Sequence, residues 1–75
     1  MLTVKDLAGF ESKMRDERGW KRGRFCEELG ISQGKLRRML DGRKPDEKLN
    51  DRTLALAISA VALNLAPYPE TAANL

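Results

Sequence analysis

The sequence predicts an all-α fold, a compact bundle of four to five short helices. Apolar residues recur at spacings of three and four, which places them on one face of a helix. No segment alternates apolar and polar residues in the way a half-buried strand would. Glycine or proline follows the periodic segments, at the positions where helices end.

The chain has 75 residues, enough for one domain and near the lower size at which a hydrophobic core is stable unaided. Aromatic residues make up only 5% of it, so aliphatic side chains must supply most of the core. We expect a domain over residues 1–66. Residues 67–75, which include Pro67 and Pro69, are expected to form an irregular tail.

Composition also bears on compartment and function class. One cysteine cannot form an internal disulfide, and neither a signal peptide nor a membrane-length apolar run is evident. A cytoplasmic location is therefore expected. Without a histidine, a metal-ligand cluster or a phosphate loop, an enzyme is the poorest hypothesis, and we expect no cofactor or metal.

The first helix is predicted from its caps and its apolar stripe. Thr3 caps it with Asp6 as partner, and Gly19 ends it. Trp20 follows directly and is expected to pack over the junction with the second helix. The predicted buried stripe is Val4, Leu7, Phe10 and Met14.

Residues 21–41 predict a helix-turn-helix. The second helix runs from about Lys21 to Leu29, Gly30 makes the turn, and Ser32 caps a third helix that continues to about Leu40. The residues expected to be buried where these helices meet are Phe25, Cys26, Leu29, Ile31, Leu36 and Met39. Cysteine is a small hydrophobe in such a place, and this one is interpreted as core.

Residues 45–49 are expected to form a loop or a short helical turn, and a last helix should run from Asn50 or Asp51 to Leu65. One side of that helix carries Leu54, Ala57, Ile58, Val61, Ala62 and Leu65. The opposite side carries Leu56, Ala60 and Leu63. A terminal helix cannot bury both sides in so small a domain, so the second side is predicted to form a dimer interface. The alternative is a more engulfed helix in a five-helix monomer.

Positive charge is concentrated around the helix-turn-helix. Residues 19–44 hold eight basic and three acidic side chains, a net charge of +5, whereas the whole chain carries +3. Such a basic segment is typical of a nucleic-acid-binding surface.

The exposed side of the third helix supplies candidate DNA contacts. Glutamine pairs with adenine and arginine with guanine in the major groove. The predicted base contacts are Gln33, Gly34, Arg37 and Arg38. The predicted phosphate contacts are Lys21, Arg22, Arg24, Ser32, Lys35, Arg43 and Lys44.

From Arg15 to Pro45 the chain resembles the Xre/Cro-type helix-turn-helix family of small bacterial and phage regulators. The resemblance lies in Arg15-Asp16-Glu17-Arg18-Gly19-Trp20, Phe25-Cys26-Glu27-Glu28-Leu29-Gly30-Ile31-Ser32 and Gly42-Arg43-Lys44-Pro45. The chain departs from that family at three positions. Lys21 replaces a Ser or Thr cap, Leu40 replaces a common glutamate, and Gly34 lies within the reading helix.

This resemblance implies a lambda-repressor-like domain that binds operator DNA as a homodimer and represses its own or a neighbouring operon. A phage or mobile-element regulator, an anti-CRISPR-associated regulator, an antitoxin and a restriction-modification controller all remain open. The principal alternative function is a protein-interaction module or antitoxin that binds a partner protein through the last helix and the tail.

Overall fold

The computed structural model describes residues 1–66, and the predicted tail over residues 67–75 lies outside them. The described residues form four helices: α1 (Val4–Arg18), α2 (Arg22–Leu29), α3 (Gln33–Leu40) and α4 (Arg52–Ala62). The predicted all-α bundle is confirmed. No helix in this part of the chain is long and apolar enough to cross a membrane.

The ends of α1 are fixed by local hydrogen bonds. The Thr3 amide donates to Asp6 Oδ2 at 3.0 Å, and the Asp6 amide donates to Thr3 Oγ1 at 3.1 Å. At the other end, Gly19 adopts a left-handed conformation with φ 68°, and its amide donates to the Arg15 carbonyl. The predicted capping box and glycine stop are both confirmed.

The core joins all four helices. Phe25 of α2, Leu7 of α1 and Leu36 of α3 are completely buried, and Leu54 of α4 is 1% exposed. The Phe10 ring packs against that of Phe25 with 5.9 Å between centroids. The remaining buried apolar residues are Val4, Met14, Cys26, Leu29, Met39 and Leu49. Among the residues predicted to be buried, Phe10 and Ile31 are instead half-buried and pack against the core from its edge.

The loop before α4 caps the start of α1. Backbone amides of Val4 and Lys5 donate to the carbonyls of Glu47 and Pro45, each at 2.9 Å, and the Leu49 amide donates to the Leu2 carbonyl. The loop thereby satisfies the first N–H groups of α1, which have no partner within the helix. Burial of the Leu49 side chain anchors this contact, and local sequence patterns do not predict it.

The end of α4 differs from the prediction. The helix stops at Ala62 rather than Leu65, because Asn64 turns left-handed with φ 57°. The Arg18 guanidinium holds this turn from α1 by donating to Asn64 Oδ1 at 2.9 Å and to the Val61 carbonyl. Leu65, predicted on the inner side, is therefore 54% exposed.

Candidate nucleic-acid interface

A three-residue turn joins α2 to α3. Gly30 has φ 70°, and the amide of Ile31 donates to the Cys26 carbonyl, which closes the end of α2. Ser32 Oγ then accepts from the Lys35 amide at 3.0 Å and caps α3. The structure thus contains the two predicted helices and the turn between them, with hydrogen bonds at the end of α2 and at the start of α3.

The two sides of α3 have different environments. Leu36 and Met39 are 0% and 7% exposed and anchor the helix in the core. Gln33, Arg37 and Arg38 are exposed on the other side, with Gly34 half-buried among them. We call Gln33, Gly34, Arg37 and Arg38 the outer face of α3. It carries amide and guanidinium groups that can bond to base edges.

Two glycines lie beside side chains of the outer face. Gln33 Nε2 is 3.5 Å from the place that a Cβ on Gly23 would occupy, so the first turns of α2 and α3 are adjacent. Arg38 Nη1 lies at the same distance from the Cβ position of Gly34. Arg38 is therefore folded along the helix, over the glycine.

Four of the predicted phosphate contacts form ion pairs with carboxylates. The pairs are Arg22–Glu11, Arg24–Glu28, Lys35–Asp51 and Arg43–Glu47. The Arg24–Glu28 and Arg43–Glu47 pairs are exposed on both sides, and such surface ion pairs contribute about 0–1 kcal/mol each. Within residues 1–66, the exposed Lys21 and Lys44 are in no ion pair, and neither are Arg37 and Arg38 of the outer face.

Arg43 and Ser32 also have structural roles. Arg43 Nε donates to the Arg38 carbonyl at 2.9 Å and so satisfies an acceptor at the end of α3. The Ser32 hydroxyl is the helix cap described above. Lys21 is the N-cap residue of α2 but its side chain makes no capping hydrogen bond, and the helix itself begins at Arg22.

One buried charge was not predicted. Glu11 of α1 is 7% exposed, and its carboxylate accepts from Arg22 Nε at 2.8 Å and Arg22 Nη2 at 2.9 Å. This pairing raises the pKa of Arg22. The available signal was its spacing, since Glu11 lies between Leu7 and Met14 in the apolar stripe of α1. A charged residue at such a position requires a partner.

Trp20 and Cys26 both serve the packing of α2. Trp20 is half-buried against the core, as predicted, and the guanidinium carbons of Arg18 and Arg24 lie 5.1 and 5.3 Å from its ring centroid. Cys26 is 2% exposed, and burial raises the pKa of its thiol. Both residues therefore belong to the structural support of the helix-turn-helix.

The outer side of α4 is apolar and exposed. Leu56 and Leu63 are 56% and 69% exposed, and Ala60 between them is half-buried. The inner side is packed against the core through Leu54, with Ile58 and Val61 partly buried. Leu54, Ile58 and Val61 on the inner side and Leu56 on the outer side agree with the prediction, and the exposed Leu63 is the C-cap residue that follows α4. Two alanines do not agree with it: Ala60, predicted on the outer side, is as buried as Ile58 and Val61, and Ala62, predicted on the inner side, is exposed.

Comparison with known protein families, characterised proteins and solved structures gives no match to this chain. Among residues 1–66, no group of three or more histidine, cysteine, aspartate or glutamate side chains could hold a metal ion.

Proposed function

We propose that this chain is a sequence-specific regulator of transcription that binds double-stranded DNA through the outer face of α3. The observation that carries the proposal is the division of α3: Leu36 and Met39 lock it into the core while Gln33 and Arg37 remain exposed. Residues four apart share one side of a helix. A major groove admits such a helix.

In this proposal, the outer face contacts bases and the surrounding cations contact phosphates. Gln33 would pair with adenine and Arg37 with guanine. Lys21 precedes α2, and Lys44 follows α3, so both flank the helix that enters the groove. Their charges support contacts with the DNA backbone, which position the protein without reading sequence.

We further propose a homodimer that acts as a repressor on an inverted repeat. Exposure of Leu56 and Leu63 supports it, since a second copy would remove both side chains from water. The two α3 helices would then lie about 34 Å apart, one turn of DNA. The resemblance to small phage and bacterial regulators favours control of the chain's own or a neighbouring operon.

The same apolar surface supports a second function, in which the chain binds another protein as an antitoxin does. Sizing by light scattering separates the two functions. A homodimer on its own supports the regulator, whereas a monomer that forms a complex only with a protein encoded by the adjacent gene supports the interaction module.

The DNA-binding proposal is tested by selecting duplexes from a random-sequence pool with the full chain. Binding of the selected duplex is then measured by gel shift for Gln33→Ala/Arg37→Ala. Two base contacts of about 1–3 kcal/mol each predict a loss of at least about 30-fold. Lys13→Ala on the exposed side of α1 removes the same charge and should bind within about threefold of the wild type. Retained binding by the double variant would refute the assigned face.

A further inference from the structure

The Glu11–Arg22 pair fixes the orientation of a guanidinium at the first position of α2. Both Glu11 oxygens accept, one from Arg22 Nε and one from Arg22 Nη2, in a bidentate arrangement. Such pairs impose geometry as well as attraction. The Glu11 side chain is 9% exposed whereas that of Arg22 is 42% exposed, so the carboxylate is buried and the guanidinium reaches the surface.

The edge of Arg22 that faces away from Glu11 carries Nη1. No acceptor within residues 1–66 is bonded to Nη1, and arginine donates from all of its nitrogens. The next residue, Gly23, lies against the Gln33 side chain at the first turn of α3. The fixed guanidinium therefore belongs to the residue of α2 that directly precedes this contact with the outer face.

We infer that Glu11 is a positioning residue for DNA binding, which holds Arg22 so that its Nη1 edge meets a backbone phosphate next to α3. This inference rests on the proposed function. A flexible arginine loses rotamer freedom when it binds, and a side chain already held in place avoids that loss. Glu11 would thus strengthen DNA binding although it carries a negative charge.

Whether removal of the Glu11 charge weakens or strengthens DNA binding distinguishes a positioning role from a purely electrostatic one. Glu11→Gln raises the formal net charge of the chain, +3, by one. Charge alone predicts tighter binding to a polyanion. Loss of orientation predicts weaker binding, by about three- to tenfold.

Glu28→Gln is the matched control. Glu28 also accepts from an arginine of α2, Arg24, at 2.8 Å, but the pair is exposed. The substitution makes the same change in charge. We expect Glu28→Gln to bind the selected duplex as tightly as the wild type or more tightly.

The experiment measures the Kd of the full-length variants for the selected duplex over a range of salt concentrations, at a temperature where circular dichroism shows each to be folded. Glu11→Gln should weaken binding at every salt concentration. Glu11→Gln/Arg22→Met removes the guanidinium without leaving a buried unpaired carboxylate. This double variant should bind still more weakly. The slope of log K against log salt concentration should become less steep by about 0.9, the value for one lost phosphate contact.

Three results would overturn the inference. They are binding by Glu11→Gln that equals or exceeds that of the wild type, an equal loss in Glu28→Gln, and a salt slope unchanged by removal of Arg22. The proposed function would fail in a different way, since the wild-type chain would then select no duplex from the pool.

Discussion

Lys35 of α3 is joined to Asp51, the N-cap of α4, with 3.0 Å between Nζ and Oδ2. The other oxygen of the same carboxylate, Oδ1, accepts from the Leu54 amide at 2.9 Å. One side chain therefore starts α4 and ties it to α3. Lys35, predicted to contact phosphate, is directed in this structure toward the protein itself.

Substitution of Asp51 separates its two roles. Asp51→Asn keeps an oxygen that can accept from Leu54 but removes the charge that attracts Lys35, so it should lower the Tm slightly. Asp51→Ala removes the cap as well and should lower the Tm by about 4–8 °C. Thermal unfolding followed by circular dichroism provides the measurement. Equal melting of Asp51→Ala and the wild type would show that the cap contributes nothing.

Acid should destabilise the fold through two capping carboxylates. The backbone amide of Thr3, followed by its hydroxyl, lowers the pKa of Asp6, and the Leu54 amide, followed by Lys35, lowers the pKa of Asp51. A carboxyl group whose pKa is lower in the folded state than in the unfolded state stabilises the fold at pH values above its unfolded-state pKa of about 3.9. This stabilisation is lost as the pH falls through the pKa of the folded state.

The Tm of the wild type should consequently decrease as the pH is lowered below about 4. Asp6→Asn/Asp51→Asn should melt lower than the wild type at pH 7, and the two curves should approach each other by about pH 2. A constant difference in Tm between pH 7 and pH 2 would contradict the role assigned to these carboxylates.

Substitution of Gly34 tests whether the outer face approaches DNA closely. Gly34→Ala should raise the free energy of unfolding by about 0.5–1 kcal/mol, because alanine is the better helix former and its Cβ would make only ordinary contacts. The added methyl group would stand on the outer face, where it would obstruct a close approach to the groove, and should weaken DNA binding roughly tenfold, about 1.4 kcal/mol.

Gly9 of α1 offers a matched control, because nothing lies within 4 Å of its Cβ position. Gly9→Ala should stabilise the chain similarly and leave DNA binding unchanged. Calorimetry and gel shifts on both variants provide the comparison. Unaltered DNA binding by Gly34→Ala would mean that the glycine has no part in the approach.

Local signals in the sequence predicted the helices better than the contacts between them. Thr3, Gly19, Gly30 and Ser32 act on groups within a few residues of themselves, so their positions predict where helices begin and end. The early end of α4 was not predicted, and the Arg18 side chain that bonds to the Val61 carbonyl at this end lies 43 positions away in the chain.

In the candidate site too, local features were predicted from the sequence and contacts between helices were not. The exposure of Gln33, Arg37 and Arg38 follows from helical spacing and was predicted correctly, whereas Gly34 and Lys35, also predicted on the exposed side, are half-buried. The partners of the basic side chains were not predicted, since Glu11 and Asp51 approach Arg22 and Lys35 only after the helices pack. In a chain with many acidic and basic residues, the sequence alone does not show which basic side chains form ion pairs.

The apolar side of α4 predicts self-association. Leu56→Ser/Leu63→Ser should convert a dimer into a monomer and weaken binding to an inverted repeat, while binding to a single half-site is retained. The fold should persist, because surface substitutions usually change stability by no more than about 0.5 kcal/mol. Leu56→Met/Leu63→Met keeps the surface apolar and should remain dimeric. A monomeric molar mass of the wild type in light scattering would contradict this interface.

The central claim, that DNA meets the outer face of α3, is tested most directly by titrating the ¹⁵N-labelled chain with its selected duplex and recording amide chemical shifts. The largest changes are expected over residues 33–38, with smaller ones over residues 21–24. Changes confined to residues 52–63, or no changes at all, would contradict the claim.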